Sequence, residues 1–235
     1  MGEKIVQKRK DYVTIEGERF YIEYSKISGT SLDLSGTRIR NIKNIKDFKH
    51  LRYLDNLDLS YNEITEINGL ENLSSLSQLR LTGNKITEIS GLEMLANLPE
   101  LHLNRNQITE IKGLGSLSRL TFLDLSENKI TEIKGLGNLK KMQNLNLQIN
   151  QIKEITGLDN LHELRYLELY NNQITELKGL EHLDKLRHLG LGKNNIPPEI
   201  LEQCIGENVY YSPSDDFYPI DAKKCIAYCR KNKNT

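Results

Sequence analysis

The chain carries five histidines, His50, His102, His162, His182 and His188, and three cysteines, Cys204, Cys225 and Cys229. Cys225 and Cys229 are four residues apart. On a helix both could reach one ligand, but two sulfurs are half a zinc site, and neither Cys204 nor a nearby histidine completes a recognised spacing. Small buried hydrophobes are the simpler reading of these cysteines, with a redox pair as an alternative. Catalysis at His102 or His188 would need a serine or cysteine nucleophile and a carboxylate in matching register, and none recurs beside them. No catalytic residue, metal or cofactor is therefore assigned. Six glutamates, Glu66, Glu88, Glu110, Glu132, Glu154 and Glu176, recur every 22 residues. Such a column could attract a basic partner or divalent cations. The simpler reading is that duplication copied one exposed residue, with Lys112, Lys134 and Lys178 two positions on to soften the repulsion.

The frame behind that column is the main message of the chain. Asn62, Asn84, Asn106, Asn128, Asn150, Asn172 and Asn194 keep the same spacing of 22. The first copy reads Leu54-x-x-Leu57-x-Leu59-x-x-Asn62-x-Ile64, and the last Leu186-x-x-Leu189-x-Leu191-x-x-Asn194-x-Ile196. A fixed period of this length marks a solenoid. Leu79-Arg80-Leu81 alternates as a short strand with one buried face does. One such strand per copy, always in one direction, predicts a parallel sheet on the concave side. Each asparagine has both a donor and an acceptor to satisfy buried turn groups, so the seven predict a structural ladder. Ile86 and Ile89 return to the core. Gly91 permits a bend, and Leu92 and Leu95 pack from a convex side too short for a long helix.

The concave positions vary from copy to copy. Phe122, Ile149, Tyr166 and Tyr170 fall on neighbouring copies, as anchors of a binding face would. Arg80, Arg105, Asp124, Glu168, His102 and His188 lie around them and are the candidate orienting groups. These positions escape the demands of core packing, so their variety points to recognition of a partner.

Both ends predict caps. Tyr12 to Ile22 reads as two strands around Glu16-Gly17. Leu32-x-Leu34-x-x-Thr37-x-Ile39 is a degenerate first copy with Thr37 in the asparagine's place. Ile42, Ile45, Phe48 and Leu51, three apart, suggest short helical turns. The pattern stops at Ile196-Pro197-Pro198, with a helical turn over 199–204, an irregular stretch over 206–219, and a last helix capped by Asp221. The expected organisation is a cap over 1–31, repeats over 32–200 and a helical cap over 201–235.

The frame, extended to Ile-x-x-Ile-x-Gly-Leu-x-x-Leu, resembles the short 22-residue class of the leucine-rich repeat family. That class includes the leucine-rich regulatory subunit of protein phosphatase 1 and the bacterial internalins. The resemblance implies an α/β right-handed arc with a parallel sheet inside, and a non-catalytic, protein-binding role. It points to a phosphatase or a small GTPase as the kind of partner. The alternative it implies is a secreted or surface recognition protein of internalin type.

Bulk numbers fit this picture. Of 235 residues 37% are hydrophobic, enough for a narrow core stripe, and 32 Lys and Arg balance 32 Asp and Glu. A balanced surface gives no broad pull toward nucleic acid or anionic membrane. No run of ~18 apolar residues exists to span a bilayer. Met1-Gly2-Glu3-Lys4-Ile5 lacks the apolar run of a secretory signal, and three cysteines are no disulfide framework. A monomeric cytoplasmic protein is expected.

Overall fold

The computed structural model describes residues 12–25, 29–205 and 220–233. At the N-terminus β1 (Tyr12–Ile15) and β2 (Glu18–Tyr21) pair antiparallel. Glu16 and Gly17 between them both take positive φ, 48° and 92°, which suits the twist of a two-residue hairpin. Val13 of β1 reaches into the core, and Thr14 bridges to Lys46.

A second sheet has nine strands. It begins with β3 (Glu23–Ser25) and β4 (Gly29–Asp33), which are antiparallel. Seven parallel strands follow, one per copy: β5 (Asn56–Asp58), β6 (Gln78–Arg80), β7 (Glu100–His102), β8 (Phe122–Asp124), β9 (Asn144–Asn146), β10 (Tyr166–Glu168) and β11 (His188–Gly190). Their spatial order is their chain order. Register is strict, with each residue opposite its equivalent 22 positions on, as in Gln78 to Glu100 to Phe122. Only the central leucine of each strand is buried, so the two flanking side chains form the concave floor.

The core is one stripe of leucine and isoleucine, with Met142 standing in for a leucine. Each asparagine sits at the seam between two copies. Asn128 Nδ2 donates to the carbonyls of Leu103, Leu125 and Ser126 at 3.0, 3.0 and 3.1 Å. Its Oδ1 accepts from Ile108 N–H at 3.0 Å. The same set recurs at Asn84, Asn106, Asn150, Asn172 and Asn194. Thr37 ends the ladder: its hydroxyl bonds the Leu34 carbonyl at 2.8 Å and Asn62 Oδ1 at 3.2 Å.

The convex side has no long helix. Each copy closes two overlapping turns, as where Leu95 N–H reaches Leu92 O and Leu98 N–H reaches Leu95 O. The first copy uses two 3₁₀ turns, Ile42–Asn44 and Phe48–His50. Gly91 does more than bend the chain. A Cβ there would lie 1.8 Å from the carbonyl oxygen of Ile67, so the glycine column is where one copy's backbone lies against the last. At the C-terminus α1 (Pro198–Glu202) follows the prolines. Asp221 caps α2 (Ala222–Lys231), which buries Ala222, Cys225, Ile226 and Cys229. The irregular stretch expected over 206–219 lies outside the described residues.

Candidate binding face

The concave floor is two rows of side chains running across the strands. Phe122 and Tyr166 stand in one row, each directly opposite Asn144 of β9, so they are two strands apart. Each ring is paired with a histidine. His102 and Phe122 have ring centroids 4.9 Å apart, tilted by 37°. Tyr166 and His188 are stacked at 6.0 Å. Each histidine is in turn held by a carboxylate. His102 Nε2 is 2.7 Å from Glu100 Oε1, and His188 Nε2 bonds Glu168 Oε1.

The expectation that no nucleophile and carboxylate recur together beside these histidines is corrected in its second half, because each histidine does have a carboxylate partner. Glu100 neighbours His102 within one strand, and Glu168 reaches His188 diagonally from the next. Two hydroxyls on this face have other partners: Ser126 Oγ bonds Asp124 Oδ1 at 2.7 Å, and Thr82 Oγ1 bonds Asn104 Oδ1 at 2.7 Å. What the strands assemble is two ring–histidine–carboxylate units flanking β9. Among the described residues no group of three or more His, Cys, Asp or Glu could hold a metal ion.

The charged candidates are engaged before any partner arrives. Arg80 Nη1 lies 3.9 Å from Asp58 Oδ2. Arg105 Nε donates to Glu127 Oε1 at 2.9 Å. That bond, then the Glu127 charge, then a bond with Tyr61 push the Arg105 guanidinium above its ordinary range. Tyr61 is 58% exposed, and its ring lies across the bare backbone of Gly83. Lys193 Nζ sits 5.7 Å above the Tyr170 ring. Sequence reading missed these pairs. A usable signal was present in two of them, because Asp58 and Arg80, and Arg105 and Glu127, are each 22 residues apart.

A second correction concerns the eighth position of the frame, which is not free of constraint. Tyr61, Arg105, Glu127, Ile149, Asn171 and Lys193 all have φ between 52° and 57°, in the left-handed region. The N–H groups of Tyr61, Arg105, Glu127, Ile149 and Asn171 donate across the seam, as Ile149 N–H does to the Tyr170 carbonyl at 2.9 Å. These bonds hold a conformation that L-residues otherwise avoid. Ile149, 42% exposed, carries the strain with a β-branched side chain.

The glutamate column is exposed and interleaved with lysine. Lys112 Nζ lies 3.3 Å from Glu88 and 3.8 Å from Glu110, and Lys134 and Lys178 pair with Glu132 and Glu176. The column is therefore not a run of bare negative charge. Among the described residues no helix is long and apolar enough to cross a membrane.

Two family models cover this architecture. One, described as Leucine-rich repeat, matches residues 14–124. The other, Leucine Rich repeats (2 copies), matches 118–160 and 162–202. The chain belongs to the leucine-rich repeat family. Among solved structures this leucine-rich repeat chain is similar to internalin C2 from Listeria monocytogenes. The two share 29% identity at a TM-score of 0.57, over 68% of this chain and 80% of that one. It is also similar to the protein chain of a TLR13–ssRNA13 complex, at 29% identity and a TM-score of 0.57. That match takes in 63% of this chain but only 23% of the TLR13 chain. No curated protein sequence matches it.

Proposed function

We propose that this leucine-rich repeat protein is a non-catalytic binding module that takes a protein partner on its concave sheet. One observation carries the reading. Phe122 and Tyr166 rise from the floor on either side of Asn144, between the Glu100–His102 and Glu168–His188 pairs. Solvent-facing aromatics among satisfied polar groups are how interface anchors are built. From β7 to β11 the outward strand positions carry Glu100, Asp124 and Glu168 and no lysine or arginine. That charge favours a partner segment combining apolar and cationic groups, and disfavours a polyanion such as the RNA bound in the TLR13 complex. Ile149 and Tyr170 extend the contact along one rim, with Arg80 and Arg105 toward the N-terminal end. A phosphatase or a small GTPase is the partner class to try first, in the cytoplasm.

A second reading has one observation in its favour. The likeness to internalin C2 takes in most of that chain, which supports a surface recognition protein. Fractionating source cells separates the two: recovery in the soluble cytosol supports the first, and recovery at the cell surface the second.

The test of the binding face is a calorimetric titration with the partner obtained by pull-down from source lysate. The Tyr166→Ala, Tyr170→Ala double variant should lose ~1–4 kcal/mol of affinity, as hot-spot aromatics do. Lys112→Ala and Lys134→Ala should lose little. Equal affinity for the wild type and the double variant would move the site off this face.

A further inference from the structure

The strands β5 to β11 present their outward side chains in two rows, and one carboxylate in those rows has no base beside it. Asp58 is answered by Arg80 at 3.9 Å, Glu100 by His102 at 2.7 Å, and Glu168 by His188. Asp124 is the fourth carboxylate. Its Oδ1 accepts from Ser126 N–H at 3.0 Å and from Ser126 Oγ at 2.7 Å, both in the turn that follows β8. Among the described residues no donor is bonded to its Oδ2. Its neighbours in the row are Asn146 and His102, and the Nε2 of His102 is taken by Glu100.

A space between two rings adjoins this carboxylate. Phe122 stands two residues before Asp124 on β8, and Tyr166 faces it from β10, with Asn144 of β9 as the row's one residue between them. The histidine packed on each ring belongs to the strand beyond, β7 for Phe122 and β11 for Tyr166, so both rings are braced from outside. Two strand spacings separate them at the backbone, about 9–10 Å. A single flat group packed at about 3.5–4 Å from each ring takes up most of that width. Tyr170 has Lys193 Nζ at 5.7 Å, but among the described residues no cation covers Phe122 or Tyr166. The side-chain amide of Asn144 makes no hydrogen bond among the described residues, which leaves its oxygen as a second acceptor on the floor.

We propose that Phe122, Asp124, Asn144 and Tyr166 form a slot for one arginine side chain of the partner. The slot rests on the reading of the concave sheet as the binding face, and it names what that face receives. A guanidinium is flat, so its faces pack on rings while its edge N–H groups reach acceptors lying in its own plane. Here the acceptors are Asp124 Oδ2 and Asn144 Oδ1. The aliphatic stem of the arginine adds apolar contact with the ring edges. A lysine ammonium is a compact, strongly hydrated charge with no flat face. It could pair with Asp124 but would leave the width between the rings unfilled. An anionic group would meet Asp124 with Glu100 and Glu168 on either side, and would find no lysine or arginine on the outward positions of β7 to β11.

The experiment titrates the isotope-labelled full chain with three capped tripeptides, followed by NMR. They are acetyl-Leu-Arg-Leu-amide and its lysine and citrulline counterparts. Citrulline keeps the length and flat end of arginine and removes the charge. The Asn144 side-chain amide and the Phe122 and Tyr166 ring signals should move and saturate with the arginine peptide. Its Kd should be several-fold lower than that of the lysine peptide and about tenfold lower than that of the citrulline peptide. Asp124→Asn keeps an oxygen for Ser126, and should weaken the arginine peptide about tenfold and remove its lead over citrulline. Asp33→Asn, where Asp33 makes the same kind of bond to Ser35 N–H four strands away, should change neither. Equal affinities for the three peptides, shifts confined to other residues, no binding at millimolar peptide, or an Asp124→Asn chain that still prefers arginine would each overturn the slot. If Asp124→Asn fails to fold, the arginine–citrulline difference on the wild type decides alone. Titration of the pulled-down partner separates this failure from that of the wider reading. Weakening by the Tyr166→Ala, Tyr170→Ala double variant but not by Asp124→Asn would keep the face and overturn the slot, and weakening by neither would overturn both.

Discussion

The carboxylate of Glu168 occupies the space that a side chain at Gly190 would fill. A Cβ built on Gly190 would lie 1.9 Å from Glu168 Oε2. The two residues are direct neighbours on β10 and β11, and the empty position lets the carboxylate cross to His188. Gly190→Ala should therefore push Glu168 aside and free His188, which stacks on Tyr166. Proton NMR of the histidine rings checks this. The His188 signals should move in Gly190→Ala and by a similar amount in Glu168→Gln, while those of His102 stay in place. Unmoved His188 signals in Gly190→Ala would show that the pair has another route.

The asparagine ladder predicts a graded cost. Asn128→Ala leaves the Ile108 N–H without a partner inside the stack and removes one of the two donors from each of the Leu103, Leu125 and Ser126 carbonyls. A loss on the order of 1–3 kcal/mol follows, read from urea denaturation. Asn194 makes the same bonds at a half-buried position near the end, where water can replace them. Asn194→Ala should cost less, and equal midpoints for the two variants would contradict this account.

Ile149 has φ of 53°, where the next copy has Asn171 at 55°. Asparagine tolerates the left-handed region far better than a β-branched residue does. Ile149→Asn should raise stability by about 0.5–1 kcal/mol, measured by the same denaturation. If Ile149 also touches the partner, the variant will bind more weakly while folding more firmly. A lower stability would mean that the side chain contributes more by packing than it costs in strain.

Cys229 predicts an alkaline weakness in the cap. Burial pushes its thiol up from 9.0 to about 12. The folded state keeps this proton at pH values where the unfolded state has lost it. The contribution is complete below about pH 9 and is lost as the pH rises through about 12. The stability gap between wild type and Cys229→Ala should therefore narrow from about pH 9 to about pH 12. A constant gap would assign the loss to packing alone.

The repeat array was open to reading because each of its rules recurs. A leucine stripe, an asparagine and a glycine at one spacing specify strand, seam and bend, and Glu16-Gly17 and Asp221 marked the hairpin and the helix cap by local chemistry alone. The binding face was legible only as positions. That Phe122 and Tyr166 flank Asn144 follows from register, but the histidine and carboxylate held against each ring depend on side-chain reach. The reach of Glu168 depends on an absent side chain at residue 190. The left-handed eighth position was hidden for a different reason. Cross-seam hydrogen bonds impose it, so tyrosine, arginine, glutamate and isoleucine all occupy it, and composition carries no trace of the constraint.

The strict register has a consequence for how such a face can change over time. Because every strand sits opposite its equivalent 22 residues away, the gap between Phe122 and Tyr166 is a whole number of strand steps, each about 4.8 Å. Losing or gaining one unit between them would alter that gap by one step and leave every seam chemically unchanged. The array is a ruler with fixed graduations: selection can reposition its recognition groups only in discrete jumps, and fine adjustment is left to rotamers and to substitutions at the graduations themselves.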